Sequence, residues 1–349
     1  MRHFRIAFLL FVASLCYSTL SAQSFSIKDK SGNLLYFNVL DKEKYTVEMT
    51  RDSQTDTCYN ISGSLTIPKA VFYNGVYYDV VSIGKNALKG AVELQEIVLP
   101  STLVKISEEA FSGCVSLENI YMPRHNVKIS HSAFKSCTSL KKIQFGSDWT
   151  IIDCHPFAEC SLELLNVPSK VSTILGLNEL KSLRSISVDE TNEYLSSFDG
   201  LLFNKAKTEL LYCPINYNVK LTIPEGTEVI RNGAICNCLW LESITLPKTL
   251  KSLSFIEFSN MRNLKNITML SDKPIINASI GDNGVFAFEV SNNVYVNVNK
   301  KVLKDYREAI TNENGIYVDA HSGKKRKCNS SNLIGKDNVK PLSVGAIRN

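Results

Sequence analysis

The chain has 349 residues, 44% of them apolar, and a formal charge of +5. That apolar content supports a large buried core, and the small, dispersed charge offers no electrostatic footprint for nucleic acid. Ten cysteines are too many to ignore and are not spaced like a metal site, so the class of the protein has to come from pattern.

Residues 1–22 read as a secretory leader. Arg2 and Arg5 give a positive start, Ile6 to Leu15 an apolar stretch, and Leu20-Ser21-Ala22 a small-residue exit before Gln23. The apolar stretch is too short to span a bilayer, and no later one approaches about 18 residues, so no membrane span is expected. Losing Arg2 and Arg5 and no acid lowers the formal charge by two.

Residues 23–63 alternate apolar and polar, as in Leu35-Tyr36-Phe37-Asn38-Val39 and Tyr45-Thr46-Val47-Glu48-Met49, and are expected to form an N-terminal β cap. Phe72 to Val81 reads as a hairpin turning at Asn74-Gly75.

From residue 64 to 272 one phrase recurs. It runs from Leu94 to Cys114, from Leu117 to Cys137 and from Leu140 to Cys160, a period of 23 residues. A fixed period in this range means stacked copies of one unit that packs only on its neighbours. Each unit opens with a short alternating segment such as Ile97-Val98-Leu99 or Ile120-Tyr121-Met122 and then meets a proline. Alternation gives a strand with every second residue inward, and proline ends it because it brings no N–H to the ladder. Six residues past the proline comes an apolar residue (Ile106, Ile129, Ile174, Ile230, Leu253). Eleven past it comes a large one (Phe111, Phe134, Ile235, Phe258), and fourteen past it Cys or Met. The phenylalanine column is expected to be the spine of the core. Cys114, Cys137, Cys160 and Cys238 share one slot with Ala91 and Met261, so they read as a packing ladder. Cys58, Cys154, Cys213 and Cys236 lie off that column, and a disulfide among them stays open.

Some units are irregular. Gly146 stands where proline is expected, and the unit from Leu162 offers Leu177 and Leu180 in place of the phenylalanine signature. Residues 194–214 break the period; turn signals at Asp199-Gly200 and Asn204-Lys205-Ala206-Lys207 predict a β-hairpin projecting from the solenoid. Residues 273–320 are expected to close the array with a strand at Val294–Val298 and a short helix from Lys301 to Ile310. Residues 321–349, with the basic cluster Lys324 to Lys327, read as a disordered tail.

The phrase L-x-x-I-x-L-P-x-x-L-x-x-I-x-x-x-A-F-x-x-C resembles the BspA-like leucine-rich repeat family of bacterial surface proteins. Ala110-Phe111-Ser112-Gly113-Cys114 and Ala133-Phe134-Lys135-Ser136-Cys137 carry the resemblance, with the segment Asp199 to Lys205 and the closing Val294-Tyr295-Val296. It implies a leucine-rich repeat solenoid with a parallel β-sheet on one face and loops or short helical turns on the other. It also implies a secreted or surface-attached protein. The partners it implies are protein ligands, such as host matrix or plasma glycoproteins or other bacterial surfaces. The family brings no shared catalytic residues and no cofactor.

The residues themselves agree with a non-enzymatic reading. His125, His131 and His155 show no metal-ligand spacing, and no H-E-x-x-H, G-x-S-x-G, P-loop or G-x-G-x-x-G occurs. The functional surface then comes from geometry, because strand residues between inward ladders point outward onto an extended sheet. Glu96, Asn119, Tyr121, Lys142, Gln144 and Asn166 are the candidate contacts. Tyr121 and Lys142 stand out as anchors, since aromatic and cationic groups often dominate interfaces. A carbohydrate-binding surface protein is the second reading and a secreted hydrolase on a solenoid scaffold the third.

Overall fold

The computed structural model describes residues 23–51, 61–253, 261–273, 276–277, 295–302, 316–318, 325–327 and 339–341. The leader, Cys58, Phe258 and most of the C-terminal helix and tail lie outside the described residues.

The repeat winds as a coil whose equivalent segments stack in register. On the first face the strands Gly63–Thr66, Leu94–Val98, Asn119–Tyr121 and Lys142–Gln144 form one parallel sheet. Leu164–Val167 and Ser185–Val188 form the next. Lys220–Thr222, Ser243–Leu246, Asn266–Met269 and Tyr295–Val298 continue it. Where the repeat is regular, as at Pro68, Pro100, Pro123, Pro168, Pro224 and Pro247, the strand ends before the proline, where the ladder loses its donor.

A second stack of short parallel strands forms the other face, where loops and helical turns were expected. It runs through Val76–Ile83, Lys105–Ile106 and Lys128–Ile129, then Ile151–Asp153 and Thr173–Leu175, then Glu209–Tyr212, Val229–Ile230, Ser252–Leu253 and Ile276–Asn277. The cause is the repeat itself. The isoleucine six positions past the proline turns inward, buried at Ile106 and Ile230 and half-buried at Ile129 and Ile174, and its backbone meets an equivalent backbone one coil away. Among the described residues, helix is confined to the 3-10 turns His155–Phe157, Leu177–Glu179 and Lys300–Val302.

The core is built from ladders. Phe111 and Phe134 stack with ring centroids 4.8 Å apart and planes 2° from parallel, and Phe134 and Phe157 follow at 5.0 Å and 24°. That spacing is the inter-strand distance, so one ring per coil fills the axis without a gap. The cysteine column does more than fill space. Cys114 Sγ donates to the Leu88 carbonyl at 3.1 Å and Cys137 Sγ to the Phe111 carbonyl at 3.1 Å, with Cys160 reaching the Phe134 carbonyl at 3.6 Å. Each thiol therefore links one coil to the backbone of the coil before it.

Gly146 replaces proline for a steric reason. A Cβ there would lie 2.3 Å from the Pro123 carbonyl oxygen. The close approach lets the buried Trp149 indole donate to that same oxygen at 2.9 Å.

The N-terminal segment forms an antiparallel meander of Ser24–Lys28, Leu34–Asp41 and Thr46–Thr50, whose last strand pairs in parallel with Val76–Ile83. The hairpin of Ala70–Tyr73 and Val76–Ile83 turns at Asn74 and Gly75, both at positive φ (49° and 81°). At the far end Tyr295–Val298 also pairs with Val339–Pro341, and Ile316–Val318 pairs with Lys325–Lys327. Residues 325–327 and 339–341 are therefore strands within a segment expected to lack structure.

Residues 194–214 do not project. They form a three-stranded antiparallel meander of Leu195–Phe198, Leu201–Asn204 and Glu209–Tyr212, and the last strand joins the second face beside Val229–Ile230. The middle strand runs through the core. Leu201, Leu202 and Phe203 are all buried; Leu202 belongs to the N-terminal core and Leu201 and Phe203 to the C-terminal one. A strand covered on both sides needs apolar residues in succession, which Leu-Leu-Phe supplies. Its turn reaches the first face, where Gly200 O accepts from Ile186 N at 2.9 Å. A Cβ at Gly200 would sit 2.9 Å from Ser185 Oγ. The meander is a partition between two cores.

Cys154 and Cys213 are free thiols, so neither enters the disulfide left open by the sequence. Burial pushes the Cys154 and Cys160 thiols up to about 12. Cys213 is raised well above the ordinary thiol range by burial and then by its neighbour Cys238.

Two measurements test this core. Replacing Phe134 by alanine opens a cavity between two stacked rings, and should cost about 3–5 kcal/mol in urea unfolding; an unchanged midpoint would show that the spine runs elsewhere. At pH 8 a thiol with a pKa near 12 is ionised on the order of one part in ten thousand, so Cys154 and Cys160 of the folded chain should resist iodoacetamide. Peptide mass spectrometry should find them modified only after unfolding.

Candidate binding face

The first sheet brings five of the six predicted contact residues together. The parallel register aligns Glu96 with Asn119 and Asn119 with Lys142, and it aligns Val98 with Tyr121 and Tyr121 with Gln144. The residues between them, Ile97, Ile120 and Ile143, are buried, so both rows face outward. Lys142 and Gln144 are exposed; Glu96, Asn119 and Tyr121 are half-buried between neighbouring rows. Ser64 Oγ donates to Glu96 Oε1 at 3.2 Å and steadies that carboxylate from the preceding strand.

Asn166 is not part of this sheet. It lies on Leu164–Val167, which pairs with Ser185–Val188 in a separate two-stranded sheet and sits beside Lys142–Gln144 without a ladder. The step between the two strands is 22 residues instead of 23. The contiguous face is therefore Glu96, Asn119 and Lys142 beside Val98, Tyr121 and Gln144.

Several charges on this protein link one coil to the next. Lys85 pairs with Glu108 at 2.8 Å, Arg231 with Glu209 at 2.9 Å and Lys251 with Glu228 at 2.7 Å, each joining adjacent coils. Asp148 bridges Arg124 at 2.6 Å and Lys170 at 2.5 Å, spanning three coils. The Lys170 hydrogen bond, helped by Arg124, holds the Asp148 carboxyl below the usual carboxylate range. Among the described residues Lys142 enters no ion pair and the Tyr121 hydroxyl makes no hydrogen bond, so both are uncommitted.

The histidines are placed by the coil. His125 Nε2 lies 2.8 Å from the Leu103 carbonyl oxygen and His155 Nδ1 2.6 Å from Asp153 Oδ1. Among the described residues no group of three or more His, Cys, Asp or Glu is arranged to hold a metal ion. No helix among them is long and apolar enough to cross a membrane.

Sequence reasoning missed a cleft of about 370 Å³ on the second face, beside the partition. Ile174, Leu195, Leu202 and Leu211 form its apolar part, and Thr173 and Tyr194 stand at its rim. The available signal was the loss of the 23-residue period at Tyr194, together with the unalternated Leu201-Leu202-Phe203.

Comparison with known proteins follows the geometry. A comparison with curated protein sequences finds no match. Several solved structures are similar in fold. A leucine-rich cell surface protein of Faecalibacterium prausnitzii is 18% identical, with 70% of this chain and 89% of that one covered, at a TM-score of 0.37. The pneumococcal vaccine antigen PcpA is 19% identical over 82% of this chain and 96% of its own, at 0.43. A leucine-rich repeat protein of Bacteroides ovatus is 21% identical over 76% of each chain, at 0.40. The model of the BspA type leucine-rich repeat region matches residues 65–187 and 211–316 in six copies. With most of its length matched by that repeat, and with the stacked phenylalanine and cysteine ladders the repeat encodes, the chain belongs to the BspA-type leucine-rich repeat family.

Proposed function

We propose that this protein is an exported, non-enzymatic binding module that holds protein partners against the first sheet. The observation carrying this reading is the contiguous pair of outward rows that one ladder holds side by side, Glu96, Asn119 and Lys142 beside Val98, Tyr121 and Gln144. The leader-like residues 1–22 support export, and membership of a leucine-rich repeat family supports protein binding. Matrix or plasma glycoproteins and other bacterial surfaces are the partner classes to try first.

The mechanism is contact through a preorganised surface. Strand backbones already locked in a ladder lose little entropy when a partner lands, so modest side-chain contacts suffice for affinity. Tyr121 offers a large ring with few rotatable bonds, and Lys142 offers a charge that can steer an acidic partner. A carbohydrate reading has less support, because Tyr121 is the sole aromatic in the two rows.

The test uses the chain from Gln23 onward against immobilised matrix and plasma glycoproteins and a glycan array. Saturable protein binding is expected, weakened roughly tenfold or more when Tyr121 and Lys142 are both replaced by alanine. The melting temperature should not move. Unchanged affinity in that double variant, or binding to glycans alone, would overturn the reading.

A further inference from the structure

The cleft beside the partition has a strand edge along one wall. Thr173–Leu175 pairs with Ile151–Asp153 on its N-terminal side and, among the described residues, with no strand on the other, where the cleft lies. Val76–Ile83, Lys105–Ile106 and Ile151–Asp153 each have that second position filled by the next rung of the second face. Here the next segment, Leu195–Phe198, pairs instead with Leu201–Asn204 to begin the partition. The rung beside Thr173–Leu175 is thus open.

The main chain of the edge faces the gap. Ser172 N donates to Thr150 O at 2.9 Å, which commits that residue to the coil before it. Cys154 N also donates to Leu175 O at 2.9 Å, so in this register Thr173 and Leu175 face the coil before them; by the alternation of a parallel ladder, the N–H and C=O of Ile174 point the other way, into the cleft. Below them lie Ile174, Leu195, Leu202 and Leu211, and beside them the exposed ring of Tyr194. An edge of this kind recognises another extended main chain, with alternate side chains entering the apolar pocket.

The polar side chains around the cleft are already employed. Asn204 Oδ1 accepts from Thr208 N at 2.9 Å and Glu209 N at 3.1 Å, and its Nδ2 donates to Thr208 Oγ1 at 3.0 Å. Tyr212 donates its hydroxyl to Leu177 O at 3.0 Å, and Arg231 is held by Glu209 at 2.9 Å. Little is left to read the hydroxyls of a sugar. A backbone edge over an apolar pocket remains.

We propose that this cleft is a second binding site, which takes an extended peptide segment with alternating apolar side chains as an added strand beside Thr173–Leu175. The site is separate from the Tyr121 and Lys142 face and does not depend on that face being functional.

The experiment is selection of displayed random peptides on the chain from Gln23 onward, followed by fluorescence anisotropy with the synthetic peptides it yields. A glycan array runs in parallel. Enrichment of peptides with apolar residues at every second position is expected. Ile174→Pro removes the edge N–H, which the ladder to Ile151–Asp153 does not use, and should weaken binding roughly tenfold or more. Tyr194→Ala, a change at an exposed rim residue, should weaken it several-fold and covers the case in which the proline variant fails to fold by circular dichroism. N-methylation of alternate peptide amides should abolish binding in one register and spare it in the other. The Tyr121 and Lys142 double variant should bind these peptides unchanged. No enrichment, wild-type affinity in Tyr194→Ala and a folded Ile174→Pro, equal tolerance of N-methylation in both registers, or binding to glycans alone would overturn the proposal.

Discussion

The structure depends on register between coils. A repeat of 23 residues, shortened to 22 or 21 in the middle coils, returns the chain to the same corner one strand-spacing further along. Backbone hydrogen bonds, the phenylalanine stack and the thiol-to-carbonyl contacts all require the same displacement, close to 4.8 Å. No coil satisfies its own backbone or hides its own apolar residues. Each is completed by the one before and the one after, and the ion pairs between coils repeat the same offset on the surface. Exposed pairs of that kind add little energy individually, so the weight rests on the buried ladders.

Register also explains where the surface becomes interesting. A regular stack presents the same positions again and again, and its outward rows differ only in which side chains the sequence places there. Some ladders end where the period changes. The first sheet stops after Lys142–Gln144, and the meander after Ser185–Val188 opens the second face into a cleft. Both proposed sites border such a change.

Much of this was legible in the sequence because ladders leave periodic marks. The inward isoleucines, the Phe111–Phe134 stack and the Asn74-Gly75 turn follow from alternation and local turn chemistry alone. What was not legible is the meeting of segments that the period does not govern. Turn signals around Leu201–Phe203 locate a hairpin but do not say whether it points out or in. The clue was the absence of alternation in Leu-Leu-Phe, a strand with apolar neighbours on both sides. Asn166 shows the same limit from the other direction. Its outward orientation was readable, but its pairing with Ser185–Val188 and not with Lys142–Gln144 was not.

The partition carries one more consequence, which concerns how such a chain changes length over generations. In an uninterrupted stack, gaining or losing a repeat shifts every later unit along one continuous core. Here Leu202 closes one core while Leu201 and Phe203 close the other. Duplication or deletion of a repeat within one half changes packing only up to that strand. The two halves can therefore lengthen independently, each bringing new outward rows, while the cleft between them keeps its walls.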